Sequence, residues 1–109
     1  MRTLRFIIDG QIIKKDPNCD FSGLVPGTEG YLNARFSFSS EWNGCAKVAA
    51  FYSNFGREHG AMILEDGVSC KIPATALAKK TFHIRVFGKK KDFKITTNKV
   101  SVDQDGGVA

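Results

Sequence analysis

A chain of 109 residues, 42% apolar and 25% charged, has the length of one globular domain and can bury a core without metal or disulfide staples. Its net charge of +5 favours acidic partners, while Cys19, Cys45 and Cys70, odd in number and without a C-x-x-C pair, argue against a disulfide framework or a zinc site. No apolar run approaches a membrane span, and MRTLRFIIDG lacks the run and cleavage site of a signal peptide, so the sequence predicts a soluble product made in the cytoplasm with no membrane partner.

The first predicted element is a hairpin over residues 1–15. Asp9-Gly10, between LRFII and QIIKK, is a two-residue turn signal, since a type I′ turn needs positive φ at both centres. It would pair Ile8 with Gln11, Ile7 with Ile12 and Phe6 with Ile13. Phe6 and Ile13 then share one face, and Ile7 and Ile12 the other. Both faces are apolar, so the hairpin should be covered on both sides, and Ile7 and Ile12 become candidate contacts for a second layer, a subunit or a partner. Residues 16–30 carry Pro17, Pro26 and three glycines, an irregular connection.

Alternation then sets in. Leu32, Ala34, Phe36 and Phe38 fall on one face of a strand, with Asn33, Arg35 and Ser37 on the other. The turn Glu41-Trp42-Asn43-Gly44 follows, with Trp42 expected to cap an open end of the core and Gly44 to let the chain reverse beneath it. Asp66-Gly67, between AMILE and VSCKI, is a second hairpin signal. Val68, Cys70 and Ile72 alternate next. Pro73 to Lys80 suits one or two helical turns, with proline in the first. Phe82, Ile84 and Val86 form another alternating set, and a charged loop, Gly88–Asp92, leads to Phe93, Ile95, Thr97, Val100 and Val102. Residues 103–109 form a polar, flexible tail.

About seven short strands at near-regular spacing predict a single all-β domain, 1–109. It should be an antiparallel, Ig-like β-sandwich or a small open barrel, with one short helical turn near 73–80. The predicted core is Leu32, Phe36, Phe38, Trp42, Val48, Ile63, Cys70, Ile72, Phe82, Ile84 and Val86.

Charge is unevenly placed. Residues 1–70 hold seven Lys/Arg against eight Asp/Glu, whereas residues 71–99 hold nine against Asp92 alone. Lys79, Lys80, Arg85, Lys89, Lys90, Lys91 and Lys94 are therefore candidate partner-binding residues, because such a cluster repels itself unless solvent or an acidic partner takes up the charge. Direct nucleic-acid binding is the weaker expectation, since no paired stacking aromatics, helix-turn-helix or zinc-finger spacing accompanies the cations. The two histidines, His59 and His83, make neither a zinc pattern nor a catalytic set. Cys70 should face inward and His83 outward, which separates a nucleophile from its base. No enzyme, metal or cofactor is expected.

The segment FSFSSEWNGCAKVAAF resembles part of small domains encoded by phages and prophages of Gram-positive bacteria. In those domains an aromatic-rich strand enters a Glu-Trp-Asp/Asn-Gly turn followed by Lys-x-Ala-x-Phe. The resemblance continues through the Asp-Gly-x-x-Cys-x-Ile-Pro run from Asp66 to Pro73, through FHIRVFG, and into the Thr-Thr-Asn of residues 96–98, covering roughly residues 31–102. It implies a non-catalytic β-sandwich module of virion or tail structural genes. Its partner would be another phage structural protein or a second copy of itself, and it would act in the host cytoplasm or within a virion. The basic insertion at Lys89–Lys91 and the short ending after Ala109 depart from the pattern. They leave a second expectation open, an inhibitor of a host defence complex that occludes an acidic nucleic-acid-binding or effector surface with its basic face.

Overall fold

The computed structural model describes residues 1–105, and nine strands among them form two sheets. In chain order these are β1 (Arg2–Asp9), β2 (Ile12–Lys15), β3 (Leu32–Phe38), β4 (Ala46–Tyr52), β5 (Glu58–Ile63), β6 (Ser69–Lys71), β7 (Thr81–Lys90), β8 (Phe93–Thr96) and β9 (Val100–Asp103). A 3-10 turn spans Ser40–Trp42 and a single-turn helix, α1, spans Ala74–Leu77. One sheet has the order β2-β1-β3-β6; the other runs β5-β4-β7-β8, with β9 also paired to β7. The fold is all-β with two packed layers, and the helical turn stands where Pro73 predicts it.

The layers meet over alternating side chains. Leu4, Phe6, Ile8, Leu32, Ala34 and Phe36 point inward from the first sheet, and Ala49, Phe51, Phe82, Ile84, Val86 and Val102 from the second. Phe6 stacks on Phe36 at 5.5 Å between ring centroids, and a chain of rings continues through Phe38 to Trp42. Phe38 and Cys70 are half-buried against this core.

Several expectations change on contact with the fold. β1 and β3 pair in parallel, so the sheets are not wholly antiparallel. The irregular connection, residues 16–31, carries the chain from one edge of β1 to the other, and it is anchored by buried Leu24. The first turn is Gly10-Gln11: Asp9 pairs with Ile12 and Ile8 with Ile13. Only Gly10 has positive φ (57°), the requirement of a type II′ turn, so a single glycine suffices.

Asp66-Gly67 does not close a hairpin. β5 and β6 lie in different sheets, and this turn carries the chain between them. At the next crossing the loop is tighter than predicted, since β7 extends to Lys90 and only Lys91-Asp92 joins it to Phe93. Val48 and Ile63 leave the predicted core. They pair with each other on the outer face of the second sheet, and Ile63 is 68% exposed. Local alternation could not assign them, because both faces of β4 are apolar. Of the predicted tail, Asp103 belongs to β9 and Gln104 is buried, its amide donating to the carbonyls of Leu77 and Lys79; residues 106–109 lie outside the described residues.

Candidate functional site

Each sheet has an inner face in the core and an outer face that no described strand or helix covers, and the predicted contact residues divide between the two outer faces. Ile7 and Ile12 lie on the outside of the first sheet, Ile7 half-buried and Ile12 57% exposed. The cover expected on both sides of this hairpin is therefore not supplied by the described residues. On the same face stand cations that a count along the chain overlooks, Arg5 in register with Arg35, Lys14 beside Ile7 and, at the far edge of the sheet, Lys71 beside Asn33, while Asp9 stands opposite Ile12. The outward position of Arg35 is legible from strand alternation. Its meeting with Arg5 is not, because it depends on the parallel pairing.

Arg85, Lys89 and Lys94 occupy the outside of the second sheet. Lys89 faces Lys94 directly across the β7–β8 ladder, a same-sign pair that costs stability. Lys90 turns the other way: its ammonium donates to the Asn43 carbonyl at 2.8 Å and lies 5.0 Å from the Phe93 ring centroid. Lys91 is exposed in the turn. Arg85 is half-buried, with its guanidinium 6.0 Å from the Tyr52 ring centroid and Lys99 over the same ring at 4.3 Å. Lys79 and Lys80 precede β7 and so stand at its other end, about 30 Å from Lys89 at the usual rise per residue. The predicted basic cluster is thus divided, Lys79 and Lys80 at one end, Arg85 in mid-strand, and Lys89, Lys90, Lys91 and Lys94 gathered at the other tip.

Trp42 is fully buried, and its Nε1 donates to the Gly10 carbonyl at 2.8 Å, which ties the 3-10 turn to the first hairpin. Gly44 takes φ 78°, so the chain reverses there at no cost to a side chain. Cys70 faces inward from β6, opposite Ala34. Burial, aided by the charge of Asp66, pushes its thiol up to about 12.

His83 sits in the other sheet, on its outer face, with both ring nitrogens engaged: one meets Asn54 Oδ1 and the other Ser101 Oγ, each at 2.9 Å. Cys70 and His83 therefore do not converge. His59 is the extra residue of a β-bulge between β5 and β4, and its Nε2 is shielded from solvent without a protein partner. It borders a cleft of about 510 Å³ beside the Ser53–Arg57 loop and α1, where Arg57, Lys79 and Glu58 give mixed charge. Phe55 stands at the mouth of that cleft, 98% exposed. Among the described residues no three His, Cys, Asp or Glu side chains are grouped to hold a metal ion, and no helix is long and apolar enough to cross a membrane.

Comparison with protein-family models, with curated proteins and with solved structures finds no match to this chain.

Proposed function

We propose that the protein is a non-catalytic structural or assembly module that acts through protein–protein contact. The observation that carries the proposal is the outer surface of the sandwich. Apolar side chains (Ile7 and Ile12 on one sheet, Val48 and Ile63 on the other) sit beside same-sign cation pairs, Arg5 with Arg35 and Lys89 with Lys94. Held side by side, such pairs weaken the fold except where a carboxylate stands near, as Asp66 does for Arg35. A partner that supplies carboxylates and covers the apolar residues removes that cost, which is the ordinary composition of an interface.

The resemblance to phage-encoded domains supplies the biological setting for this proposal: assembly with another phage structural protein or with a second copy. The grouping of four lysines at one tip of the sandwich supports the second reading, an inhibitor that lays its basic face over an acidic surface of a host defence complex. Co-purification from infected cells, together with sedimentation of the pure protein across a concentration series, tests both. Recovery of virion proteins, or self-association, is expected from an assembly module; recovery of a nuclease or effector supports the inhibitor. A strictly monomeric protein that co-purifies with nothing would overturn both.

A further inference from the structure

The outer face of the second sheet carries a row of side chains that crosses four strands. Ile63 lies beside Val48, Val48 beside Phe87, and Phe87 beside Thr96. One step toward the β7–β8 tip, Ala46 lies beside Lys89 and Lys89 beside Lys94. Ala46, Val48, Phe87 and Thr96 line a depression of about 320 Å³, and Lys89 and Lys94 line it as well. No aspartate or glutamate is part of that lining, and the nearby Asp92 lines an adjoining depression with the same two lysines.

These features ask for one kind of occupant. The apolar part of the depression suits an aliphatic or aromatic side chain, whose burial would also remove Val48 from water. The two lysines in register suit a carboxylate placed between their side chains, because a charge of opposite sign replaces like-charge repulsion by two attractive contacts. The other cations of this sheet do not continue the site as a track, since Arg85 and Lys99 both lie over Tyr52 and Lys90 is bonded to Asn43. A nucleic-acid backbone needs such a track, together with aromatic rings presented for stacking, whereas Phe87 is half-buried within the row.

The geometry points to an acidic protein segment as the occupant, with an apolar side chain seated against Ala46, Val48 and Phe87 and an adjacent carboxylate between Lys89 and Lys94. This rests on the protein–protein reading above and names the surface and the chemistry of the partner.

The experiment is amide chemical-shift mapping of the full chain, titrated with a blocked Asp-Glu-Leu-Glu-Asp peptide as the probe. Saturable shifts are expected at Val48, Phe87, Lys89 and Thr96. Replacing the central Leu of the peptide by Ser should weaken binding about tenfold, and a Lys-Lys-Leu-Lys-Lys peptide should not saturate. The double variant Lys89→Ser/Lys94→Ser, altered only at exposed side chains, should keep the parent spectrum elsewhere and lose about tenfold in affinity for the acidic probe.

Three results would overturn the inference: saturable shifts that map to the Ile7–Ile12 face or elsewhere, equal binding of the Leu and Ser peptides, or a short DNA duplex that shifts the same amides at lower concentration than the peptide. These outcomes are separate from the co-purification test. A partner captured through another face would preserve the module and sink this surface.

Discussion

Gly88 and Trp42 pack with nothing between them: a Cβ placed on Gly88 would stand 2.6 Å from Trp42 Cζ3 and 2.7 Å from Cε3. The indole lies on the bare backbone of β7, near the basic tip. Gly88 is not among the glycines with positive φ, so the requirement is one of space and not of backbone conformation. Gly in the middle of a long strand otherwise weakens it, and a close approach of this kind is the usual reason to find one.

Gly88→Ala should therefore destabilise the protein by about 1–3 kcal/mol through overpacking. Urea denaturation measures it, and an unchanged midpoint would mean that the ring moves aside freely. The contrasting control is Gly44, where φ 78° penalises any side chain while the nearest atom, Lys90 Cδ, is 4.0 Å away. There the cost of alanine should come from the backbone alone.

Phe36→Ala removes a ring that is 2% exposed and packed on Phe6. A loss of about 3–5 kcal/mol is expected, from lost transfer energy plus the cavity left behind. A shift in the urea midpoint corresponding to less than 1 kcal/mol, a value typical of surface positions, would contradict the inward assignment of the β3 face.

Asp66 shapes the turn between the sheets. Its carboxylate accepts from the Ser69 hydroxyl and from the backbone N–H groups of Val68 and Ser69, and these bonds lower its pKa from 3.8 to about 2, the Ser69 hydroxyl contributing most. Because the folded value lies below the unfolded one, the stabilising contribution is complete above the ordinary carboxylate range and is lost as pH falls through it toward about 2. Carboxyl NMR should find Asp66 titrating near the lower value. Asp66→Asn should flatten the acid-side fall in stability over that window, and an identical pH profile in the variant would remove Asp66 from the account.

Cys70 should resist thiol reagents. With its thiol pushed up to about 12 from an ordinary 9.0, the thiolate fraction near pH 8 is roughly a thousandfold below that of a free thiol. Labelling of the native protein should thus be slow at Cys70 and quicken on unfolding in urea. Native labelling at the rate of a free thiol would reopen Cys70 as a reactive group.

Lys94→Glu turns the Lys89–Lys94 repulsion into an attraction across one ladder position. A gain of about 0.2–1 kcal/mol is expected at low salt, shrinking as ionic strength rises. A loss of stability, or a gain that salt leaves untouched, would show that the two ammonium groups do not interact.

How far the sequence alone reached depends on the range of the physics. The period-two patterns at Leu32–Phe38 and Phe82–Val86 determined the inward faces of β3 and β7, because in a strand each side chain's direction follows from its neighbour's. The Pro73 turn and the break at Trp42–Gly44 were legible for the same reason, being set by φ preferences within a few residues. Which strand lies beside which was not. The β1–β3 parallel pair, the Asp66-Gly67 passage between sheets and the outward placement of Val48 and Ile63 arise from contacts between segments distant along the chain, where an apolar strand satisfies either face equally well. The candidate surface divides in the same way. The lysines were visible as a run of charge, but only the register of β7 against β4 and β8 set two of them beside an apolar depression and left Lys79 and Lys80 at the far end of the strand.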